Sequence, residues 1–547
     1  MFSNIQKNNI RWTIRDNLEE SILENLYLKL KDFASCPDFS IVKDNNVRTV
    51  LFLKPGKNTP DSIFVKLYKK GGLYEKIKHL VVPSKACSEW RNLKHFDNIG
   101  LPCPKPLALS EIKHFGLLDE SCLLIEAIPF AFPLNKYVER NALSLEKRRY
   151  ITTSLAGLIR NLHANNIFYK DLHGGNILIS KKTESEFDLF FIDLHRAALP
   201  GKISERMRIK DIAQLCNSVL CSNTERQLFL KEYLGERAFD SESLKTFSKK
   251  IAGKRDQLEK TRIKSRSKRC LKNSSVFEKK MNSRETYHGR KDFGKKETDE
   301  VLALHGLIKK DKDTAIVKVS KKSIITIVDK KGRKPLCVKE NRFVSILYTL
   351  KNMFRKSRAM RSWIAANRLL VRGIDTPLPF SVVEKKIGPL IFESYFISSF
   401  MKDAKEINDY ITVFKDPGHK ENKTKFIKAC ADVFKNLHSQ GIYHADLKSN
   451  NILVTENERD KWKFFFVDLD RVLFKKDISF YQRANNLAQL NASISSLMTV
   501  KDRLKFFRFY AKDTQLYTYI KKYYCKILEI SKTKITDLYG ISFDNIA

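Results

Sequence analysis

The sequence has few cysteines, and their spacing fits neither a metal site nor a disulfide framework. Its 10 cysteines are scattered over 547 residues, without a Cys-x-x-Cys pair or the histidine spacing that a structural zinc site needs. We therefore expect reduced thiols and a cytosolic setting.

Long apolar runs are also lacking. The first residues, MFSNIQKNNIRW, contain no hydrophobic stretch of the kind that a signal peptide has. No uninterrupted apolar run approaches the ~18 residues that are needed to cross a bilayer. The sequence predicts a protein that can touch a membrane but does not span one.

Acidic residues are outnumbered, with 62 Asp and Glu against 102 Lys and Arg and a net charge of +40. Such an excess favours an anionic partner, which could be nucleic acid, an anionic membrane surface or a phosphorylated glycolipid. Nucleic acid is the least favoured of the three, because the basic run lacks interleaved aromatic residues and any recognised binding module. Hydrophobic residues make up 42% of the sequence, which is enough to fill two large cores.

A long-range repeat organises the chain. The segment NLHANNIFYKDLHGGNILI, from Asn161, is echoed by NLHSQGIYHADLKSNNILV, from Asn436, at an offset of 275 residues. The same offset carries Asp193 onto Asp468. The chain is therefore a duplicated domain.

The two copies predict a division into three parts. We expect a first domain at residues 1–255, a basic linker at 256–300 and a second domain at 301–547. The linker is predicted from KKIAGKRDQLEKTRIKSRSKRCLKNSS, which is rich in Lys, Arg and Ser and poor in apolar periodicity. Its charge leaves three interpretations open: a solvated connector, an arm for nucleic acid, or a patch for lipid head groups.

Each half changes character along its length. Segments rich in β-branched and aromatic residues come first, namely VRTVLFLKPG and DSIFVKLY in one half and TAIVKVS, SIITIVDKKGRK and PLCVKEN in the other. Helical periodicity follows in LEKRRYITTSLAGLIRNLH and KTKFIKACADVFKNLH. The pattern predicts a small β-rich lobe before a larger helical lobe, twice, which is an α+β architecture.

The repeated segments carry an arrangement suited to phosphoryl transfer. In each, an Asp is followed five residues later by Asn, then by an apolar strand and a second strand that ends in Asp. Phosphoryl transfer needs one carboxylate to orient the acceptor hydroxyl and take its proton, and an Asn and a further Asp to hold magnesium against the phosphates. We assign the catalytic base to Asp171 and Asp446. The predicted magnesium ligands are Asn176, Asp193, Asn451 and Asp468.

These motifs resemble known families. HADLKSNNIL and FFFVDLDR are similar to the catalytic and metal-binding segments of protein kinases, with Asp-Leu-Asp where those carry Asp-Phe-Gly. VKLYKKGGLYEKIK, followed by SEWRNLKHFDNIGLPCPKPLAL, resembles the bacterial lipopolysaccharide kinase family, which phosphorylates Kdo or heptose of the inner core.

The resemblance covers most of both halves and implies two tandem protein-kinase-like bilobal domains. It implies ATP and Mg²⁺ as cofactors and an anionic glycolipid, the lipopolysaccharide core, as substrate. It also implies a cytoplasmic location with peripheral contact at the anionic cytoplasmic face of the inner membrane.

The resemblance further implies a nucleotide-binding set. Lys66 matches the strand lysine that contacts the ATP phosphates, and Glu89 matches the helix glutamate that pairs with it. In the second half Lys339 is the strand lysine, but Ser362 occupies the position of Glu89, and no acidic residue lies between Glu340 and Asp375.

The second half has one further cation at the predicted base. Lys448, two residues after Asp446, could neutralise a transferring phosphate, whereas the first half has His173 there. Neither half shows a clear Gly-x-Gly-x-x-Gly loop over the phosphates.

Two alternatives stay open. Within the same fold the acceptor could be a protein Ser or Thr, which Lys448 favours, or a small molecule. The missing helix glutamate indicates another class, a membrane-associated scaffold in which the second half is a pseudokinase.

Overall fold

The computed structural model divides the chain into two compact units, Met1–Thr261 and Arg262–Ala547. It describes residues 2–7, 10–16, 37–45, 47–54, 62–69, 71–141, 143–183, 186–220, 222–236, 240–311, 315–320, 322–330, 334–342, 355–457, 461–512 and 520–539. The predicted strand segments are described except at residues 55–56, 61, 314 and 331–333, which lie outside these ranges.

The first unit begins with an antiparallel seven-stranded sheet of order β1-β2-β6-β7-β5-β4-β3. Its elements are β1 (Phe2–Lys7), β2 (Ile10–Arg15), β3 (Phe39–Asp44), β4 (Arg48–Leu53), β5 (Ile63–Tyr68), α1 (Leu73–Lys78), α2 (Lys85–Asn98), β6 (Pro106–His114) and β7 (Leu117–Glu126). Strand β5 lies between β4 and β7, so its backbone is hydrogen-bonded on both sides.

A larger helical lobe follows in the same unit. Its elements are β8 (Ala131–Pro133), α3 (Leu134–Arg140), α4 (Leu145–Ala164), β9 (Ile177–Lys181), β10 (Phe187–Phe191), α5 (Glu205–Cys216), α6 (Asn223–Leu234) and α7 (Ser241–Arg266). Helix α4 buries Ile151, Leu155, Ile159 and Leu162, which lie three or four residues apart on one face.

The second unit repeats this plan. Its first part comprises β11 (Phe277–Met281), β12 (Glu285–Arg290), α8 (Gly294–Asp311), β13 (Ile316–Val319), β14 (Ser323–Val328), β15 (Leu336–Asn341), α9 (Arg358–Val371), β16 (Pro379–Ile387) and β17 (Leu390–Ser399). The sheet order, β11-β12-β16-β17-β15-β14-β13, is that of the first unit.

The helical lobe of the second unit completes the chain. It comprises β18 (Lys405–Glu406), α10 (Ile407–Ile411), α11 (Lys420–Ser439), β19 (Ile442–His444), β20 (Ile452–Asn457), β21 (Lys461–Phe466), β22 (Val472–Phe474), α12 (Phe480–Ser493), α13 (Val500–Ala511) and α14 (Ile520–Tyr539). The predicted α+β fold with two tandem bilobal domains is confirmed.

The segment at 256–300 differs from the predicted linker. It contains the end of α7, both strands β11 and β12 and the start of α8. Strand β12 buries Tyr287 completely, and the Trp363 indole donates a hydrogen bond to the carbonyl of Cys270 at 3.0 Å. Strand β11 lies at the edge of the sheet and carries two lysines. Its composition therefore resembles that of a charged loop, which is why the sequence predicted a linker here.

The same local signals mark the two ends of α2 and of α9, the helices that follow the central strands. Ser84 and Ser357 are the N-caps of α2 and α9, and each side-chain oxygen accepts a hydrogen bond from the third residue of its helix. Both helices are followed by a glycine in the left-handed region, Gly100 at φ +68° and Gly373 at φ +69°. No helix among the described residues is both long enough and apolar enough to span a bilayer.

Candidate active sites

The structure brings Lys66 and Glu89 of the first unit together. Lys66 lies in the middle of β5, and its Nζ is 2.5 Å from Oε1 of Glu89 on α2. The Tyr68 hydroxyl donates to the other carboxylate oxygen at 3.1 Å. Both charged side chains are buried, with 7% of Lys66 and 1% of Glu89 exposed. Each charge is therefore stabilised by the other in place of water.

The loop that carries Asp171 is tied by the predicted Asn. The Asn176 amide donates to the backbone carbonyl of Asp171 at 3.0 Å. Arg196 donates to the Asp171 carboxylate at 3.2 Å, and a third of that carboxylate-bearing side chain stays exposed. Asp171 is therefore fixed in position and still open to an acceptor.

A residue that the sequence did not single out, Asp211 of α5, anchors this loop. Its buried carboxylate accepts hydrogen bonds from the backbone amides of Tyr169 and Lys170 at 2.8 and 3.0 Å. His163 lies 3.6 Å from the same carboxylate and hydrogen-bonds the Tyr233 hydroxyl. The histidine thus lies beside the carboxylate that anchors the loop.

Asp193 is the second residue after β10 and lies in the left-handed region at φ 63°. Arg48 makes a bidentate pair with it, at 2.9 Å to Oδ1 and 2.8 Å to Oδ2, and His195 Nδ1 lies 2.9 Å from Oδ1. Burial opposes ionisation, but the hydrogen bonds from His195 and Arg48 and the charge of Lys66 hold the pKa of Asp193 well below its ordinary value.

The donor set of the first unit is chemically suited to a divalent cation. Ligand atoms of Glu89, Asp193 and His195 lie within 4.8 Å of one another. The Asp193 carboxylate and the side-chain oxygen of Asn176 are the hard oxygen donors that Mg²⁺ prefers. Both Asp193 oxygens already accept hydrogen bonds from Arg48, so a metal there would compete with the guanidinium.

The second unit builds its loop in the same way. The Asn451 amide donates to the carbonyl of Asp446 at 2.8 Å. Lys448 lies 3.4 Å from the Asp446 carboxylate. The repeat extends to the residue after β21, where the backbone amide of Val467 donates to the carbonyl of Asn451 at 3.0 Å, as Ile192 donates to Asn176 in the first unit.

Lys339 of the second unit has a different partner from Lys66. Its ammonium group donates directly to the carboxylate of Asp468, which is in the left-handed region at φ 55°. Ser362, at the position of Glu89, is buried on α9. Burial opposes ionisation of Asp468, but the charge and hydrogen bond of Lys339 lower its pKa. The lysine is thus held by the predicted metal ligand instead of by the helix.

A cavity of about 840 Å³ contains this second set. Its lining includes Lys339, Ser362, Asn451 and Asp468, with apolar walls at Ile325 and Leu453 among others. A volume of this size is in the range of small-molecule and cofactor sites.

Several residues of these sites were missed from the sequence. Arg48 belongs to no recognisable motif, because it is the first residue of an ordinary strand, β4. Asp211 and its counterpart Asn486 do lie 275 residues apart, and Asn486 donates to the carbonyl of His444 at 2.6 Å. The repeat offset could have found this position, although the residue type differs between the copies.

The comparisons with known proteins agree with the repeat. A model of the "Lipopolysaccharide kinase (Kdo/WaaP) family" matches residues 39–233 and 340–510, about two thirds of the chain in all. Similar curated proteins are the lipopolysaccharide core heptose(I) kinase WaaP of Escherichia coli strain K12, 27% identical over 201 residues, and the same kinase from Escherichia coli, 27% identical over 199 residues. Each match covers 34% of this chain and 74% of the relative.

A solved structure, "WaaP in complex with acyl carrier protein", is 18% identical. It matches with a TM-score of 0.33 over 44% of this chain and 98% of that one.

Proposed function

The chain belongs to the lipopolysaccharide kinase (Kdo/WaaP) family, and from this membership we propose that it is an ATP-dependent phosphotransferase acting on a sugar hydroxyl of the lipopolysaccharide inner core, Kdo or heptose. The observation that carries the proposal is the repeated geometry of loop and strand. In each unit an Asn ties the loop of a reachable Asp, and a second Asp follows the next strand in a left-handed conformation.

Asp171 is the proposed proton acceptor of the first unit. Its exposed carboxylate would accept a hydrogen bond from the acceptor hydroxyl and take the proton as the phosphoryl group is transferred. Arg196 and the Asp211 anchor keep that carboxylate in one position. Positioning of this kind accounts for much of catalysis in phosphoryl transfer.

Lys66 is the proposed ligand of the nucleotide phosphates, held in place by Glu89. Asp193 and Asn176 are the proposed ligands of Mg²⁺. Magnesium, when bound, neutralises the charge that develops on the phosphates. The first unit therefore has the complete set of side chains.

We propose equivalent roles for the residues of the second unit. Asp446 is the base, and Asn451 and Asp468 are the metal ligands. The phosphate ligands are Lys339 and Lys448. Since Lys339 pairs with Asp468, nucleotide and metal have to separate that pair before either residue can serve. This pairing, together with Ser362 in place of the helix glutamate, favours a second candidate for that unit, a half that binds nucleotide weakly and acts as a scaffold.

The proposed substrate is an anionic glycolipid, and the net charge of +40 supports it. A strongly basic protein concentrates at a surface that carries phosphate groups. We propose peripheral contact with the anionic cytoplasmic face of the inner membrane.

The test is phosphate transfer from ATP to purified core oligosaccharide, measured by mass spectrometry of the product. Asp171→Asn and Asp446→Asn are compared singly and together in the full chain. Loss of a general base should lower turnover by about 10²–10⁴-fold. We expect a loss of this size from Asp171→Asn and a smaller one from Asp446→Asn.

Asp188→Asn is the matched control, because Asp188 is a surface residue of β10 that pairs with Lys182. Full turnover in the double variant would exclude these aspartates as bases. Phosphopeptides without phosphorylated sugar, from a lysate, would instead identify a protein kinase.

A further inference from the structure

We infer that Arg48 is a nucleotide-phosphate ligand of the first unit and that it exchanges the Asp193 carboxylate for the polyphosphate when nucleotide binds. The inference rests on the proposed function, because it assumes a nucleotide in the cleft. It assigns Arg48 two partners in turn, a carboxylate in the free protein and phosphate oxygens in the complex.

The sheet places Arg48 beside the other nucleotide-binding candidates. Arg48 begins β4 and is paired with Tyr68 of β5, while Val50 is paired with Lys66. Residues two apart on a strand share a face, so Arg48, Tyr68 and Lys66 all lie on the face that contacts Glu89 and Asp193. The contacts confirm this, since Lys66 and Tyr68 both reach Glu89.

Arg48 competes with a metal for Asp193. Its two guanidinium nitrogens donate to the two carboxylate oxygens at 2.9 and 2.8 Å, so that both oxygens face the guanidinium. A divalent cation on the same oxygens would also repel the guanidinium at short range. Arg48 and a metal therefore compete for Asp193.

Once displaced, the guanidinium needs another anion. Only 16% of the Arg48 side chain is exposed, so leaving it unpaired in the cleft would be costly. A polyphosphate offers the bidentate oxygens that arginine prefers. The first unit shows no clear Gly-x-Gly-x-x-Gly loop, and a fixed cation would add a charged ligand for the phosphates.

The second unit does not have this arrangement. The equivalent strand begins at Ser323, which is paired with Asn341 as Arg48 is paired with Tyr68. Asp468 pairs with Lys339 instead. The exchange is thus a property of the first unit, and the second serves as an internal comparison.

The test uses the full chain carrying Asp468→Asn, so that metal binding reports on the first unit, with and without Arg48→Gln. Binding of Mn²⁺ in the absence of nucleotide is measured by electron paramagnetic resonance. Binding of a non-hydrolysable ATP analogue with Mg²⁺ is measured by calorimetry. We expect Arg48→Gln to tighten Mn²⁺ binding and to weaken analogue binding, each by roughly tenfold, the size of an ordinary coupling between two ligands.

The opposite directions of the two changes separate this role from a structural one. Arg160→Gln, which removes an exposed arginine paired with Glu232, should change neither affinity. Arg48→Lys should keep part of the analogue affinity, because it keeps the charge without the fork.

Unchanged affinities, or a parallel loss of both, would overturn the inference. Neither the Mn²⁺ affinity nor the affinity for the ATP analogue depends on which molecule accepts the phosphoryl group. If no core sugar is phosphorylated while the two affinities still move in opposite directions, the proposed substrate fails and the role of Arg48 stands.

Discussion

Asp193 and Asp468 have the same left-handed backbone at the same place in their units, with φ of 63° and 55°. Their partners differ, because Asp193 pairs with Arg48 and His195 whereas Asp468 pairs with Lys339. A non-glycine residue in this region costs free energy that the surrounding structure has to provide. The backbone of the two sites is therefore duplicated more faithfully than their charge pairing.

A buried histidine makes the stability of the second unit depend on pH. His438 is fully buried, with Nδ1 2.8 Å from the Tyr510 hydroxyl and Nε2 3.2 Å from the Asn486 side-chain oxygen. Burial lowers its pKa from 6.5 to about 3. Below pH 6.5 the unfolded chain binds a proton that the folded chain does not bind until about pH 3. His438 should thus lower the free energy of unfolding by about 1.4 kcal/mol per pH unit in this window.

Thermal or urea unfolding between pH 7 and pH 4 measures this contribution. The variant His438→Gln should show a shallower fall in stability with decreasing pH than the unchanged protein. His419→Gln is the control, because 43% of that side chain is exposed. Equal pH slopes for all three proteins would contradict the assignment.

At the scale of single elements, α2 connects a local signal with the proposed nucleotide site. The Ser84 hydroxyl oxygen accepts a hydrogen bond from the Cys87 amide at 2.9 Å and begins the helix that carries Glu89. Replacing an N-cap serine by alanine costs ~1 kcal/mol. A loosened first turn would also release Glu89, which lies in the second turn, and with it Lys66.

We expect Ser84→Ala to lower the stability of the protein by about 1 kcal/mol and to raise the KM for ATP several-fold. Ser84→Asp should restore both, because Asp is an equally good cap. Ser144→Ala removes the corresponding cap of α4, where the oxygen accepts from Lys147 at 3.2 Å, and should cost stability without changing KM. A KM that rises equally in both alanine variants would show that global stability, and not the position of α2, sets it.

At the scale of the whole molecule, the structure shows where one unit ends and the next begins. The boundary after Thr261 assigns β11 and β12 to the second sheet, where β12 pairs with β16 over five residue pairs. A fragment of residues 262–547 retains these strands, whereas a fragment of 301–547, the predicted second domain, loses them. The loss uncovers β16 and removes Tyr287 from its core cluster.

We expect the fragment 262–547 to unfold cooperatively and the fragment 301–547 to aggregate or to remain without a thermal transition, since an exposed strand edge promotes association. Circular dichroism during heating, with size-exclusion chromatography, distinguishes the two. A cooperative transition of equal midpoint in both fragments would show that β11 and β12 are dispensable.

Much of the fold was accessible from the sequence because its signals are local. The buried stripe of α4 and the strands β4 and β5 follow directly from the periodicity of apolar residues. The strands β11 and β12 were missed, since a lysine-rich edge strand and its neighbour have too few apolar residues to show a period of two. The roles of the predicted site residues stay predictions, although the structure brings the predicted groups of each unit together.

The sequence by itself determined the duplication, the two lobes of each copy, the family resemblance and the Asp-Asn motifs, because each of these rests on continuous segments that can be compared along the chain. Only the tertiary structure decided which charges pair. Arg48 and Asp193 are 145 residues apart, and Lys339 and Asp468 are 129 apart. No local pattern relates such residues, since their contact exists only after the sheet and the helical lobe have packed together.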